Sequence, residues 1–227
     1  MGRITWAGIM TALAMAGPLP AQDARPGLAL LPFENSGSYG QDKEVFEALE
    51  LGIPALLSSA LAGNAGVRVA DANAVRGAME GRKLGGARRV DAGSASEVAK
   101  TAGARYVITG SFADFYGKFR INARVVDAQS GQILKVVSND DPKLQDRAQL
   151  SAILAAVADK ILATAGVTGG GVKALPSATE ALTDFSRGLL WESRGDRGKA
   201  GEAFQRALAS APDFVEARDG LRRARGS

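Results

Sequence analysis

Lys118-Phe-Arg-Ile-Asn-Ala-Arg-Val-Val-Asp-Ala-Gln-Ser-Gly-Gln-Ile-Leu-Lys-Val-Val137 decides the fold class. Phe119, Ile121, Ala123 and Val125 alternate with Lys118, Arg120, Asn122 and Arg124. A period of two puts one set on a core and the other in water, so this is a strand of a sheet wet on one side. Asp127-Ala-Gln-Ser-Gly131 is a hairpin turn in which glycine is free to take a positive φ, and Ile133 to Val137 pairs back.

Reading outward from that hairpin, Tyr106-Val-Ile-Thr-Gly-Ser-Phe112 is a strand led in by Gly103-Ala-Arg105. Leu28-Ala-Leu-Leu-Pro-Phe33 is a buried strand closed by the turn cluster Glu34-Asn-Ser-Gly37, and Val67-Arg-Val-Ala70 is another. Between them Val45, Phe46, Leu49, Ile53, Leu56, Leu57 and Ala60 recur at helical spacing from Lys43 to Leu61, with Pro54 predicting a kink or a late start. Asp71 is an N-cap for a helix through about Arg82, and Lys83 to Gly93 is a loop. Ser94, three residues before Glu97, reads as a capping box for a helix to Thr101. Leu150, Ile153, Leu154, Val157, Ile161 and Leu162 mark a further amphipathic helix within 143–165. The fold expected for 22–165 is an α/β domain, a small mixed-sheet sandwich with flanking helices.

Gly166 to Pro176 contains Gly169-Gly-Gly171, so 166–177 is expected to be a flexible linker. Beyond it the pattern is purely helical. Gly188-x2-Trp191, Ala200-x3-Phe204 and Pro212 fit the frame of a tetratricopeptide-like helical hairpin over 178–227, the repeat itself occupying 181–214. A generic helical hairpin is the plainer reading of the same pattern. Gly188 and Ala200 would let two helices cross closely while Trp191 and Phe204 fill the groove between them. Asp184 and Arg187 stand where the frame prefers apolar residues, which leaves the outer side of the first helix exposed. A solitary repeat lacks neighbours on which to bury its face, so it should dock on its own α/β domain or on another chain. The partner-binding candidates are Asp184, Arg187, Trp191, Arg218 and Arg222.

Arg3 followed by the apolar run Ile4 to Ala16, the break Gly17-Pro18 and the small residue Ala21 has the plan of a signal peptide over 1–21. The run is short for a bilayer span, so the alternatives are cleavage after Ala21, with no integral span afterwards, or retention as an anchor. No Cys is present to take a lipid at that point. The expected location is the periplasm, with outer-membrane association open.

Apolar residues make up 46% and charged residues 23%, ordinary globular proportions. A formal charge of +4, from 28 basic and 24 acidic side chains, implies no nucleic-acid partner. The sequence has no His and no Cys, which removes thiolate chemistry, disulfides, Cys or His metal sites and the usual proton shuttle near neutral pH. Gly195-Asp-Arg-Gly-Lys199 lacks the Walker spacing and reads as an interhelical turn, and Asp140-Asp141 before Pro142 reads as a solvated turn rather than a cation site. Ser94 and Lys100 are in no arrangement known for serine chemistry, and Phe115, Tyr116 and Phe119 read as core and strand edge. No enzyme, cofactor or metal is expected.

Leu28-Ala-Leu-Leu-Pro-Phe-Glu-Asn35, the helix after it, Val67-Arg-Val-Ala70, Gly103-Ala-Arg-Tyr-Val-Ile-Thr-Gly-Ser-Phe112 and Ala123-Arg-Val-Val-Asp-Ala-Gln-Ser-Gly-Gln-Ile133 stand in one order. Together they resemble the curli-production assembly/transport (CsgG) family and the related TolB N-terminal-like domains, over about residues 27–165. The resemblance implies a periplasmic α/β domain without catalytic residues that self-associates or docks on protein partners in the cell envelope. The secretion pore of that family does not carry over, because the sequence has neither a lipid-bearing Cys nor strands to spare for extra hairpins. The functions expected are an envelope assembly or scaffold protein, a regulator of peptidoglycan synthesis, or an accessory ring component of a secretion or flagellar apparatus. Homo-oligomerisation is compatible with each.

Overall fold

The computed structural model describes residues 24–38, 40, 42–84 and 90–226, so the signal peptide expected over 1–21 lies outside the described residues. Five strands form one sheet: β1 (Gly27–Asn35), β2 (Arg68–Val69), β3 (Tyr106–Phe115), β4 (Lys118–Asp127) and β5 (Ile133–Ser138). Their order is β2-β1-β3-β4-β5, with β1 parallel to both β2 and β3, and β3-β4-β5 antiparallel. The class is the mixed α/β expected.

The hairpins follow from local chemistry. Asp127 Oδ1 accepts from the N–H groups of Gln129 (2.8 Å) and Ser130 (3.0 Å), and Gly131 has φ 72°. The β3-β4 turn, which carries no Asn or Asp at its tip, puts both Tyr116 (φ 53°) and Gly117 (φ 91°) in the left-handed region and is held by the Asp114 carboxylate accepting from Gly117 N–H.

Helices cover the sheet unequally. On one face lie α1 (Lys43–Ala62) and α4 (Leu150–Thr164). There Leu28, Phe33, Phe112, Phe119 and Ile121 from the sheet meet Leu49, Ile53, Leu57, Ile153 and Val157, all buried. On the other lie α2 (Ala72–Gly81) and α3 (Ala92–Thr101), whose Val75, Met79, Ala95 and Val98 close a second core on Ala29, Leu31, Val107 and Val126. Asp71 caps α2 as expected, accepting from Asn73 and Ala74 N–H. The capping box at Ser94 is corrected. Asp91 is the N-cap of α3 and accepts from both Ser94 N–H and Ser94 Oγ, because a full carboxylate suits the positive end of the helix better than a hydroxyl. Glu97 pairs instead with Lys100 (2.8 Å) and Arg82 (3.3 Å).

α1 begins at Lys43 and runs through Pro54 without interruption, so no late start occurs. Among the described residues it is the one helix long and apolar enough to cross a membrane, yet most of it is buried inside the protein. A helix apolar all round needs cover on every side. The sheet covers one side, and the C-terminal helices cover the other. They are α5 (Thr179–Ser193), α6 (Arg197–Ser210) and α7 (Val215–Arg225), and α5 lies directly along α1. The close contact is Gly52 of α1 against Ser186 of α5, where a Cβ on Gly52 would overlap the serine side chain. Ser186 is fully buried and returns its hydroxyl to Leu182 O (2.7 Å).

Within the helical unit the Phe204 ring is fully buried between Gly188 and Gly220, each of which has no room for a Cβ beside the ring. Burying such a ring contributes about 1.5–3 kcal/mol. One continuous apolar cluster therefore runs from Leu28 in β1 through α1 to Phe204 and Ala217 in the last helices. The segment expected as a flexible linker over 166–177 carries defined bonds. Lys173 N–H donates to Ala60 O (2.8 Å), Asn64 Nδ2 donates to Gly169 O (3.1 Å), and Val172 and Leu175 pack on the main core.

Candidate protein-interaction surface

The five residues singled out in the sequence meet three different sets of partners. Asp184 is buried: its carboxylate accepts from Arg187 (2.9 Å) and lies 3.3 Å from Arg206 of α6. Arg187 also reaches Glu44 of α1 at 3.3 Å. The expectation that the outer side of α5 is exposed is therefore corrected at this point. That side faces α1, and the polar pair is tolerated because α1 supplies Glu44 and α6 supplies Arg206. Trp191 is half-buried, with Lys199 Nζ 4.2 Å and Arg194 Cζ 5.0 Å from its ring, so cations from the α5-α6 turn occupy its surroundings while Phe204 fills the helix crossing. Arg218 and Arg222 are exposed on α7, the first donating to Pro212 O (2.8 Å) and the second to Asp219 (2.6 Å).

Asp184 and Arg187 line a groove of about 540 Å³ where the starts of α1 and α5 meet the turn at 146–148. Its cations are engaged from within: Arg147 lies 2.9 Å from Asp42 and 3.2 Å from the buried Asp114. Several surface carboxylates are shifted downward by their hydrogen-bond and ion-pair partners. Backbone N–H groups of Ser94, Ser130 and Lys199 hold Asp91, Asp127 and Asp196 below the ordinary range, and the ammonium groups of Lys100 and Lys160 do the same for Glu97 and Asp140. A general acid needs its pKa raised towards neutrality, the reverse of these shifts. Among the described residues no cluster of three or more Asp or Glu is placed to hold a metal ion.

The surface left free is at the far edge of the sheet. β5 is the last strand in the order, so its outer backbone groups have no strand partner among the described residues. One side of β5 is secured: Val137 is buried against α4, and Lys160 Nζ donates to Ser138 O (2.7 Å). Buried Asn139 ends the strand by bonding Ile121 N–H (2.8 Å), Phe119 O (2.8 Å) and Leu144 O (2.7 Å). The other side is open, because α2 and α3 lie over β1 and β3 and reach only as far as β4. Ile133, Leu134 and Val136 are consequently 47%, 46% and 54% exposed, half of the exposed large apolar side chains among the described residues. Val136 lies directly opposite Arg124 of β4, and Leu134 is the extra residue of a bulge between the Ile133-Val126 and Lys135-Val125 pairs. Arg124 and Lys135 have no ion pair among the described residues. An apolar strip with unneutralised positive charge on an unpaired strand is suited to contact with another chain.

No family model matches the chain, and no curated protein matches it. Solved structures similar to part of it include the LpoB C-terminal domain from Salmonella enterica, at 20% identity over 53% of this chain and 84% of that one, with a TM-score of 0.37. TolB from Acinetobacter baumannii is 19% identical over 65% of this chain and 30% of that chain, with a TM-score of 0.39. The lipoprotein GNA1162 from Neisseria meningitidis is 18% identical over 60% of this chain and 95% of that chain, also with a TM-score of 0.39.

Proposed function

We propose that this chain is a non-enzymatic, protein-binding adaptor of the cell envelope, acting in the periplasm and engaging its partner through the open edge of the sheet. The observation that carries the reading is the contrast between two surfaces. The groove at the foot of the helical unit pairs its arginines with its own carboxylates, whereas β5 leaves apolar side chains and Lys135 exposed, with half-buried Arg124 of β4 beside Val136. On this reading Asp184 and Arg187 hold the helical unit to α1, while Trp191, Arg218 and Arg222 belong to a second contact. The unit itself is a tetratricopeptide-like element turned inward to complete its own domain.

Within the envelope reading, regulation of peptidoglycan synthesis is preferred to a part in curli assembly. All five described strands belong to the one sheet, which provides no additional hairpin to line a pore. Accessory membership of a ring is less favoured, because copies meeting edge to edge at β5 would bring Lys135 and Arg124 of each together.

A photocrosslinking residue at Val136 of the full-length protein, expressed in its own bacterium, tests the proposal. Crosslinks to a peptidoglycan synthase or its attached proteins are expected. Crosslinks confined to secretion or flagellar components would overturn the preferred pathway, and absence of any envelope protein from the products would overturn the adaptor reading.

A further inference from the structure

An edge strand that is merely protected is short and bulged and has charge where it faces solvent. β5 has the bulge and Lys135, but its other exposed positions are Ile133, Leu134 and Val136. Apolar side chains at an edge invite another strand, and a bulge restricts where that strand registers. Past the bulge Lys135 to Ser138 pair regularly with Asn122 to Val125, so the pairing-competent stretch is short and suits an extended peptide more than a broad folded face.

Charge selects the occupant. A strand added beside β5 would lie about 4.8 Å away, with side chains directly opposite those of β5 some 4.5–5.5 Å apart. Lys135, paired with Val125 of the α4-side core, would stand beside the incoming strand on the α4 side of the sheet, while Arg124 lies on the other side with Val136, one strand further in. Arg120 adds a third positive charge on β4, although the nearby carboxylate of Asp140 shares it. An incoming segment whose carboxylates fall on the α4 side neutralises Lys135, and its alternating apolar residues then fall beside Val136 on the other side. A second copy of this chain would bring the same positive charges against themselves.

We propose that β5 accepts, as a sixth strand, an extended segment of a partner protein in which apolar residues alternate with carboxylates. The proposal rests on the adaptor reading above and names the chemistry of the partner at that same edge.

The test uses the full chain and synthetic octapeptides: alternating Val and Glu, alternating Val and Lys, and the Val/Glu peptide with a central Pro. Binding is followed by fluorescence anisotropy and by hydrogen exchange of the β5 amides. The Val/Glu peptide is expected to bind, to slow exchange along β5, and to weaken at least tenfold in Lys135→Glu and further in Lys135→Glu/Arg124→Glu. The Pro and Val/Lys peptides are expected to bind at least tenfold more weakly than Val/Glu. Circular dichroism and melting confirm that each variant is folded, and Lys135→Glu alone suffices should the double variant unfold. Equal affinity for Val/Lys, an unchanged Kd in Lys135→Glu, or no slowing of β5 exchange would each overturn the proposal. Protein that protects β5 by dimerising without peptide would also overturn it, in favour of a second copy. Crosslinking at Val136 to an envelope protein, combined with failure of these peptides, would leave the adaptor reading standing and reject only the added strand.

Discussion

At the scale of single residues, three positions carry more than their size suggests. Asn139 satisfies two carbonyl groups and one N–H where the β4-β5 ladder ends, and it is buried. Asn139→Ala strands those groups, each at a cost of about 1–3 kcal/mol, so a loss of at least ~3 kcal/mol is expected in urea unfolding. Gly220 faces the Phe204 ring. Gly220→Ala gains up to about 1 kcal/mol of helix propensity, but overpacking at about 1–3 kcal/mol outweighs it, and the melting temperature should fall. Glu216 is half-buried; burial raises its pKa, but bonds from Lys173 (2.5 Å) and Ser59 outweigh that effect and hold it below the ordinary value. Because the folded value is depressed, the stabilisation is complete above the unfolded pKa of about 4.3 and is lost as pH falls through the folded one. Glu216→Gln should therefore lower the melting temperature near neutral pH by about 1–2 °C, and the difference should vanish in acid. Few of these roles were visible in the sequence. Phe204 and Gly188 stood out through their spacing, but the work of Asn139 depends on where β5 stops, and Asp91 and Ser94 are three residues apart and both able to cap.

At the scale of elements, α1 and β5 show where sequence patterns mislead. The periodicity from Val45 to Ala60 located α1 correctly, since seven apolar positions at helical spacing leave little choice. It did not show that two layers would press on the helix, because the contact with α5 is made by Gly52 and Ser186, small residues without a hydrophobic signature. Gly52→Ala should cost about 1–3 kcal/mol despite its better helix propensity, and hydrogen exchange should quicken first in 179–226. For β5 the pairing of Ile133 to Val137 with the preceding strand was expected, but its exposure was not, since only the lateral position of α2 and α3 leaves three of its side chains in water. The hairpin was thus legible and the candidate binding edge was not, since exposure depends on helices distant in sequence. Asp184 and Arg187 follow the same logic: charge suggested exposure, but Glu44, 140 positions before Asp184, gives the pair a place at a helix interface.

At the scale of the whole molecule, the sheet, α1 and the last three helices share one apolar cluster, so the chain should unfold in a single transition by calorimetry. Deleting 178–227 removes the outer cover of α1. The truncated protein is expected to bind a hydrophobic dye and to aggregate at concentrations at which the full chain stays dispersed. The mixed α/β class of the first part of the chain was readable from its ordered segments, but the joining of both parts into one body was not, because no local pattern records which surfaces a helical hairpin will cover. That arrangement also sets a timetable for the protein's birth. α1 is made early, while its neighbours in α5 lie more than a hundred residues downstream, Glu47 meeting Arg194 at a separation of 147 positions. A growing chain therefore carries its most apolar helix covered by the sheet on one side only until the final fifth of the sequence arrives.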